Sequence, residues 1–243
     1  MPPVSVDPPY ARDVPADMAA CAVTFNRLEM PARTHPMIYD ISQTISSVIA
    51  VWPGDQKFRQ RWSMRLTSGD SCNVSAVTMS VHTGTHIDAP YHFDEAGIDV
   101  SRVPLEHYVG PARVVAVPED QKALDGSYLA RLDWNGVERV LFKTGASGFP
   151  EDRFRRDFVC LTEDGAEFLG KRRILLAGID SPSMDAFESK TMACHKILLR
   201  CRIAILEGVR LGEVPPADYE LICLPLKFAG LDASPVRAVL RTM

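Results

Sequence analysis

Positive charge is not in surplus in this chain: 27 lysines and arginines stand against 31 aspartates and glutamates, a formal net charge of -4. No basic stripe of the kind that neutralises phosphates forms, so neither nucleic acid nor an anionic membrane is the expected partner. A small molecule is. The six cysteines (Cys21, Cys72, Cys160, Cys194, Cys201, Cys223) are scattered and make no Cys-x-x-Cys pair, which reads as reduced thiols, some in the core, of a cytoplasmic protein. No apolar run approaches the roughly 20 residues of a membrane span. The opening segment, Met1 to Tyr10, lacks a basic start followed by an apolar stretch, so no secretory signal is expected there. A dinucleotide fingerprint and internal repeats are missing too, and Gly145-Ala-Ser-Gly148 lacks the Gly-Lys-Ser/Thr that would make it a phosphate loop.

What is present suffices for one sizeable core, with 46% apolar residues in a chain of 243. Residues 1–36, rich in proline and short polar side chains, read as a flexible extension; residues 37–243 read as a single domain. Strands are predicted from Ile38 to Ile45, at Gln60 to Leu66 and Asn73 to His82 as a hairpin, and then near residues 112–118, 139–144, 174–178, 203–206, 219–226 and 236–241. Short helices are predicted near 127–132, from the cap Thr162 to Gly170, and over 191–200. Many strands with few short helices predict an α/β protein with a sheet-dominated core of mixed pairing, not a regular β-α-β alternation.

The chemistry concentrates in His82-Thr-Gly-Thr-His86-Ile-Asp88-Ala-Pro-Tyr-His92, which holds three of the six histidines. Val77, Met79 and Val81 alternate with Thr78, Ser80 and His82, predicting a half-buried strand whose polar face carries His82, with His86 and Asp88 continuing on the same side. Imidazole nitrogen and carboxylate oxygen are the donors that divalent cations such as zinc take, and His82, His86 and Asp88 supply such a set. Gly84 would let the backbone turn so that they converge, with Thr83 and Thr85 bonding the ligands from behind. The bland alternative is a solvated polar strand face. His195 and Glu207 lie on separate apolar elements that could carry them inward to a second cation, or they are a surface helix residue and a solvated strand end. His92, displaced past Asp88-Ala-Pro-Tyr, suits a proton carrier, the alternative being a further ligand. Trp52, before the turn Pro53-Gly54-Asp55, is either a core aromatic or a pocket wall.

The histidine stretch resembles the signature of the metal-dependent cyclase family, whose bacterial members include the kynurenine formamidases, or arylformamidases. Ordered similarities run from Tyr39-Asp40-Ile41-Ser42 through Val51-Trp-Pro-Gly-Asp55, Gly178-Ile-Asp-Ser-Pro-Ser-Met-Asp185, Ser189-Lys-Thr191, His195 and Ile205-Leu-Glu207 to Ser234-Pro-Val-Arg237. The resemblance implies a swivelling β/β/α fold and two divalent ions, zinc first and manganese second. His82, His86 and Asp88 would hold one, and Asp88, His195 and Glu207 the other. It further implies His92 as proton donor and acceptor, Trp52 as a substrate contact, and a homodimer. The activity implied is hydrolysis of N-formylkynurenine, an aromatic amide, to kynurenine and formate. Isatin or another cyclic amide is the rival substrate, and a non-catalytic metal-binding protein the rival class.

Overall fold

The computed structural model describes residues 36–243. The extension expected over residues 1–36, with Cys21 and His35, therefore falls almost wholly outside the described residues. In chain order the strands are β1 (Ile38–Asp40), β2 (Arg59–Met64), β3 (Val74–Thr78), β4 (His86–Asp88), β5 (Val109–Ala116), β6 (Arg139–Lys143), β7 (Leu176–Ile179), β8 (Ala204–Glu207), β9 (Asp218–Ile222), β10 (Ala233–Pro235) and β11 (Val239–Thr242); the helices are α1 (Gly126–Leu129), α2 (Glu163–Gly170) and α3 (Ala193–Arg200). Nine strands join in the order β1-β11-β9-β5-β6-β7-β8-β4-β10, and β2 and β3 form a separate two-stranded sheet. The four central strands β5 to β8 run parallel, while the pairs outside them are antiparallel. This is the mixed, sheet-dominated core that the sequence predicts.

Strands buried on both faces read as continuous apolar runs, and the side chains of β6 to β8 divide accordingly. Val140, Phe142, Ala177 and Ile205 enter a cluster with Leu129, Leu169 and Leu198 of the three helices. Leu141, Leu176 and Leu206 face the other way, onto Tyr108, Leu221 and Leu240. The helices therefore cover one face. That face matters because Glu207 shares the parity of Ile205, and the antiparallel register sets His86 opposite Glu207 and Asp88 opposite Ile205. Three polar side chains are thereby turned to the side on which α3 packs.

Two local expectations need correction. The strand predicted to reach His82 stops at Thr78, and its residues are exposed, not half-buried. It belongs to the projecting hairpin, and His82 follows in a turn. The strand from Ile38 is only three residues long. By contrast, the Thr162 hydroxyl accepts from Gly165 N at 3.3 Å and caps α2, with Glu163 and Asp164 in its first turn and the helix ending at Gly170, as the sequence indicates.

Helix α2 also contains a position where the usual propensity rule reverses. Alanine is ordinarily favoured over glycine inside a helix by about 1 kcal/mol. A Cβ at Gly165, however, would lie 2.1 Å from the backbone oxygen of Leu124, which cannot step aside as a side chain can. Gly165→Ala should destabilise the protein by about 1–3 kcal/mol, the range for overpacking. Denaturant unfolding would measure it, and an unchanged or higher midpoint would contradict the close approach.

Candidate metal centre

The turn before β4 is made by Gly84, with φ of +69°, a conformation glycine adopts without steric cost. It delivers His82 from the turn onto the same carboxylate as His86 from the strand. His82 Nδ1 lies 3.2 Å and His86 Nε2 3.6 Å from Asp88 Oδ1. The opposite oxygen, Oδ2, is 3.5 Å from His195 Nε2, which lies 2.9 Å from Glu207 Oε1. Glu207 Oε2 closes the ring at 3.5 Å from His86 Nε2. All five predicted ligand residues therefore meet, with four of them, His86, Asp88, His195 and Glu207, buried. His195 and Glu207 are neither surface residue nor solvated strand end.

Neither oxygen of Asp88 has a hydrogen-bond partner, although both are shut off from solvent. A buried carboxylate without hydrogen bonds is costly, and such groups are normally paired or coordinate metals. Burial pushes the Asp88 carboxyl up, but the facing imidazoles of His82, His86 and His92 outweigh it and hold it below its ordinary value. The same exchange acts on the histidines in the opposite sense. Burial lowers His82 while Asp232 and Asp88 raise it to about 10; burial lowers His195 while Glu207, Asp185 and Asp88 raise it to about 10. In the absence of a cation, protons on imidazoles balance the carboxylates. A set of three imidazoles and two carboxylates around an unbonded, buried oxygen pair fits divalent cations, and one group, His86, Asp88 and Glu207, brings its donor atoms within 4.8 Å of one another.

His92 lies on a short 3₁₀ turn, Pro90–His92, that Pro90 helps to start. It is close enough to His82 and Asp88 to form a donor group with them, so donor proximity alone fits both roles read from the sequence. Two carboxylates stand behind the imidazoles, and neither was singled out as a site residue in the sequence. Asp185 Oδ2 is 2.6 Å from His195 Nδ1, and Asp185 also accepts from the backbone N–H groups of Cys194 and His195. It thus caps the start of α3 and aims the opposite ring nitrogen into the cluster. Asp232 Oδ2 is 2.9 Å from His82 Nε2 and 3.0 Å from His92 Nδ1, and these two contacts hold its carboxyl well below the ordinary range. Asp185 ends one stretch that carries the family resemblance and Asp232 lies two residues before another, Ser234-Pro-Val-Arg237; neither aspartate carries a signal of its own. The threonines do not bond the ligand side chains from behind: Thr85 Oγ1 donates to Gly208 O and accepts from Gln43 N, and Thr83 Oγ1 bonds nothing among the described residues.

The cluster forms the floor of a cavity of about 480 Å³ whose lining includes Trp52, Phe154 and Phe187. The Trp52 ring stands 5.0 Å from Phe187 at 36° and 5.2 Å from Phe154 at 76°, so Trp52 is a pocket wall. Its two aromatic neighbours carried no sequence signal. A buried His/Asp/Glu cluster beneath an aromatic-walled cavity, on a mixed sheet, is an arrangement that fits a metal-dependent hydrolase, and the relatives of this chain place it in that class. The chain belongs to the Cyclase family, whose model matches residues 39–186. It is 42% identical over 205 residues to a kynurenine formamidase of Salinibacter ruber, covering 84% of this chain and 97% of that one. With a kynurenine formamidase of Bacillus cereus it shares 44% identity over 202 residues, covering 83% and 96%. A solved structure described as a predicted metal-dependent hydrolase from Bacillus stearothermophilus superposes with a TM-score of 0.75 at 31% identity, covering 86% of this chain and 99% of that one.

Proton and cation compete for the same imidazole nitrogens, which fixes the direction of the pH response. With His82 and His195 raised from 6.5 to about 10, proton binding stabilises the cation-free fold fully below pH 6.5, and this contribution is lost as pH rises through 10. The thermal midpoint of chelated protein should therefore fall across that interval, and zinc affinity should rise. Calorimetric titration at pH 7 in buffers of differing ionisation enthalpy should report proton release on zinc binding; heats independent of the buffer would contradict the arrangement.

Proposed function

We propose that this chain is an arylformamidase that hydrolyses N-formylkynurenine to kynurenine and formate. The observation that carries the reading is Asp88: a sealed carboxylate with two unbonded oxygens, Oδ1 facing His82 and His86 and Oδ2 facing His195, beneath a cavity with an aromatic wall. The names of the relatives at 42% and 44% identity supply the substrate. His82, His86 and Asp88 would hold one divalent ion, and Asp88 with His195 and Glu207 a second; zinc is the first candidate and manganese the next, since imidazole and carboxylate suit both. When bound, such ions supply a water nucleophile at neutral pH and stabilise an oxyanion.

The protein's own part is to position the amide and move one proton. The Trp52, Phe154 and Phe187 rings offer an apolar wall to the substrate's aromatic ring. His92, with Nδ1 facing Asp232, keeps Nε2 to accept a proton from the attacking water. As the new C–O bond forms and the formyl C–N bond breaks, the same nitrogen returns that proton to the departing arylamine, so atoms and charge balance. A homodimer completes the reading. The hairpin β2–β3 is exposed almost throughout, including Trp62, Val74 and Val77. A lone two-stranded sheet is marginal in water, and a second copy would cover it; sedimentation at micromolar concentration tests this.

Formate release from N-formylkynurenine should vanish on chelation and return with a single added metal. His92→Ala should lower kcat by about 10²–10⁴-fold, the range for general acid–base catalysis. Isatin is the comparator. Faster turnover of isatin than of N-formylkynurenine, or a His92→Ala variant as active as the parent, would overturn the assignment.

A further inference from the structure

The geometry points to Asp232 as a positioning residue that fixes the proton-bearing nitrogen of two imidazoles at once, an inference that builds on the hydrolase reading. One oxygen, Oδ2, lies 2.9 Å from His82 Nε2 and 3.0 Å from His92 Nδ1. An ionised carboxylate only accepts hydrogen bonds, so both facing nitrogens must carry hydrogen. In each neutral ring the lone pair is then left on the other nitrogen. For His82 that nitrogen is Nδ1, already 3.2 Å from Asp88 Oδ1 and aimed into the cluster. For His92 it is Nε2, on a ring that lines the cavity. The two rings stand with centroids 4.3 Å apart, tilted by 38°, as two donors converging on one oxygen require.

Asp232 itself does not line the cavity, so it acts through the histidines and not on substrate. Its own placement is well braced. The Asp232 carbonyl accepts from Ala89 N at 2.8 Å, and the Leu231 carbonyl accepts from Val100 N at 3.0 Å. Gly230 N donates to Asp99 Oδ2 at 3.0 Å, and the next residue, Ala233, pairs with Asp88 in the β10–β4 register. The carboxylate behind the two imidazoles is therefore carried by the backbone that pairs beside Asp88. Removing it frees His92 to adopt the opposite tautomer, with hydrogen on Nε2, which cannot accept a proton from water. It also frees the His82 ring from its orientation towards Asp88.

The test combines spectroscopy and kinetics on the zinc-loaded protein, zinc being diamagnetic. Long-range proton–nitrogen spectra of the imidazoles should show His92 protonated at Nδ1 and His82 at Nε2. In Asp232→Ala the His92 signals should move to a mixture of tautomers. Asp232→Asn, whose amide oxygen still accepts, should keep the parent pattern. In formate release at saturating metal, Asp232→Ala should lower kcat by about 10–100-fold, the usual cost of losing such a partner, with KM changed by less than about 2-fold; Asp232→Asn should retain most of kcat. A parent spectrum with His92 protonated at Nε2 overturns the inference even if no variant folds. So does an Asp232→Ala protein with unchanged tautomer and kcat, or an Asp232→Asn protein as impaired as Asp232→Ala. If the parent releases no formate, the substrate assignment fails, while the spectra still decide the role of Asp232.

Discussion

A single carboxylate sealed from water governs this molecule. Asp88 has no hydrogen bond to either oxygen, and an uncompensated charge in that position would cost several kcal/mol. The fold tolerates it only because positive charge is always within reach, carried by protons on the surrounding histidines or by cations in their place. The histidines held up to about 10 and the carboxylates held down are two views of this one balance. Sheet register makes the balance possible. Asp88 lies on a three-residue strand clamped between β8 and β10, so its backbone is satisfied on both sides while its side chain is left for chemistry.

Four of the five candidate ligand residues come from a different kind of structure than the cavity walls, the fifth, His82, lying in the turn before β4. His86, Asp88 and Glu207 are on paired strands and His195 on a helix that Asp185 caps, elements whose side chains are locked by packing. Such supports hold a site more tightly than loops do. The walls are loops: Trp52 beside the turn at Pro53, Phe154 in the stretch before α2, and Phe187 between β7 and α3. Loops on a rigid scaffold are where substrate selectivity can vary without disturbing the machinery beneath. The same sheet and donor set can then serve different amides.

The sequence made some of this legible and hid the rest for identifiable reasons. The apolar runs at Ile174 and Ile203, bounded by glycine, specify strands because burial on both faces demands continuity, and Thr162 specifies the start of α2 because its hydroxyl satisfies an otherwise unpaired N–H. Gly84 between two histidines marks the turn that brings them together. The alternation running into His82 misled, because period two describes any extended chain and does not distinguish a core strand from a projecting hairpin. Nothing local reports that Phe187 and Phe154 meet Trp52, since their contact depends on loop paths and not on periodicity. Asp185 and Asp232 are ordinary aspartates until the rings they face are placed.

Those two carboxylates also explain how similar imidazoles can serve different ends. Asp185 is buried behind a buried His195, and it receives two backbone N–H groups besides the ring, so that pair is shielded and fixed. Asp232 is about a third exposed, and His92 is about a quarter exposed. A histidine behind which every group is sealed can hold a cation but has no ready route to exchange a proton with solvent. A histidine at the cavity edge, backed by a carboxylate that water reaches, is open to both substrate and solvent. Burial behind the ring thus sets His195 apart from His92, while His82 shares Asp232 with His92 and differs from it in turning Nδ1 to Asp88, 3.2 Å away.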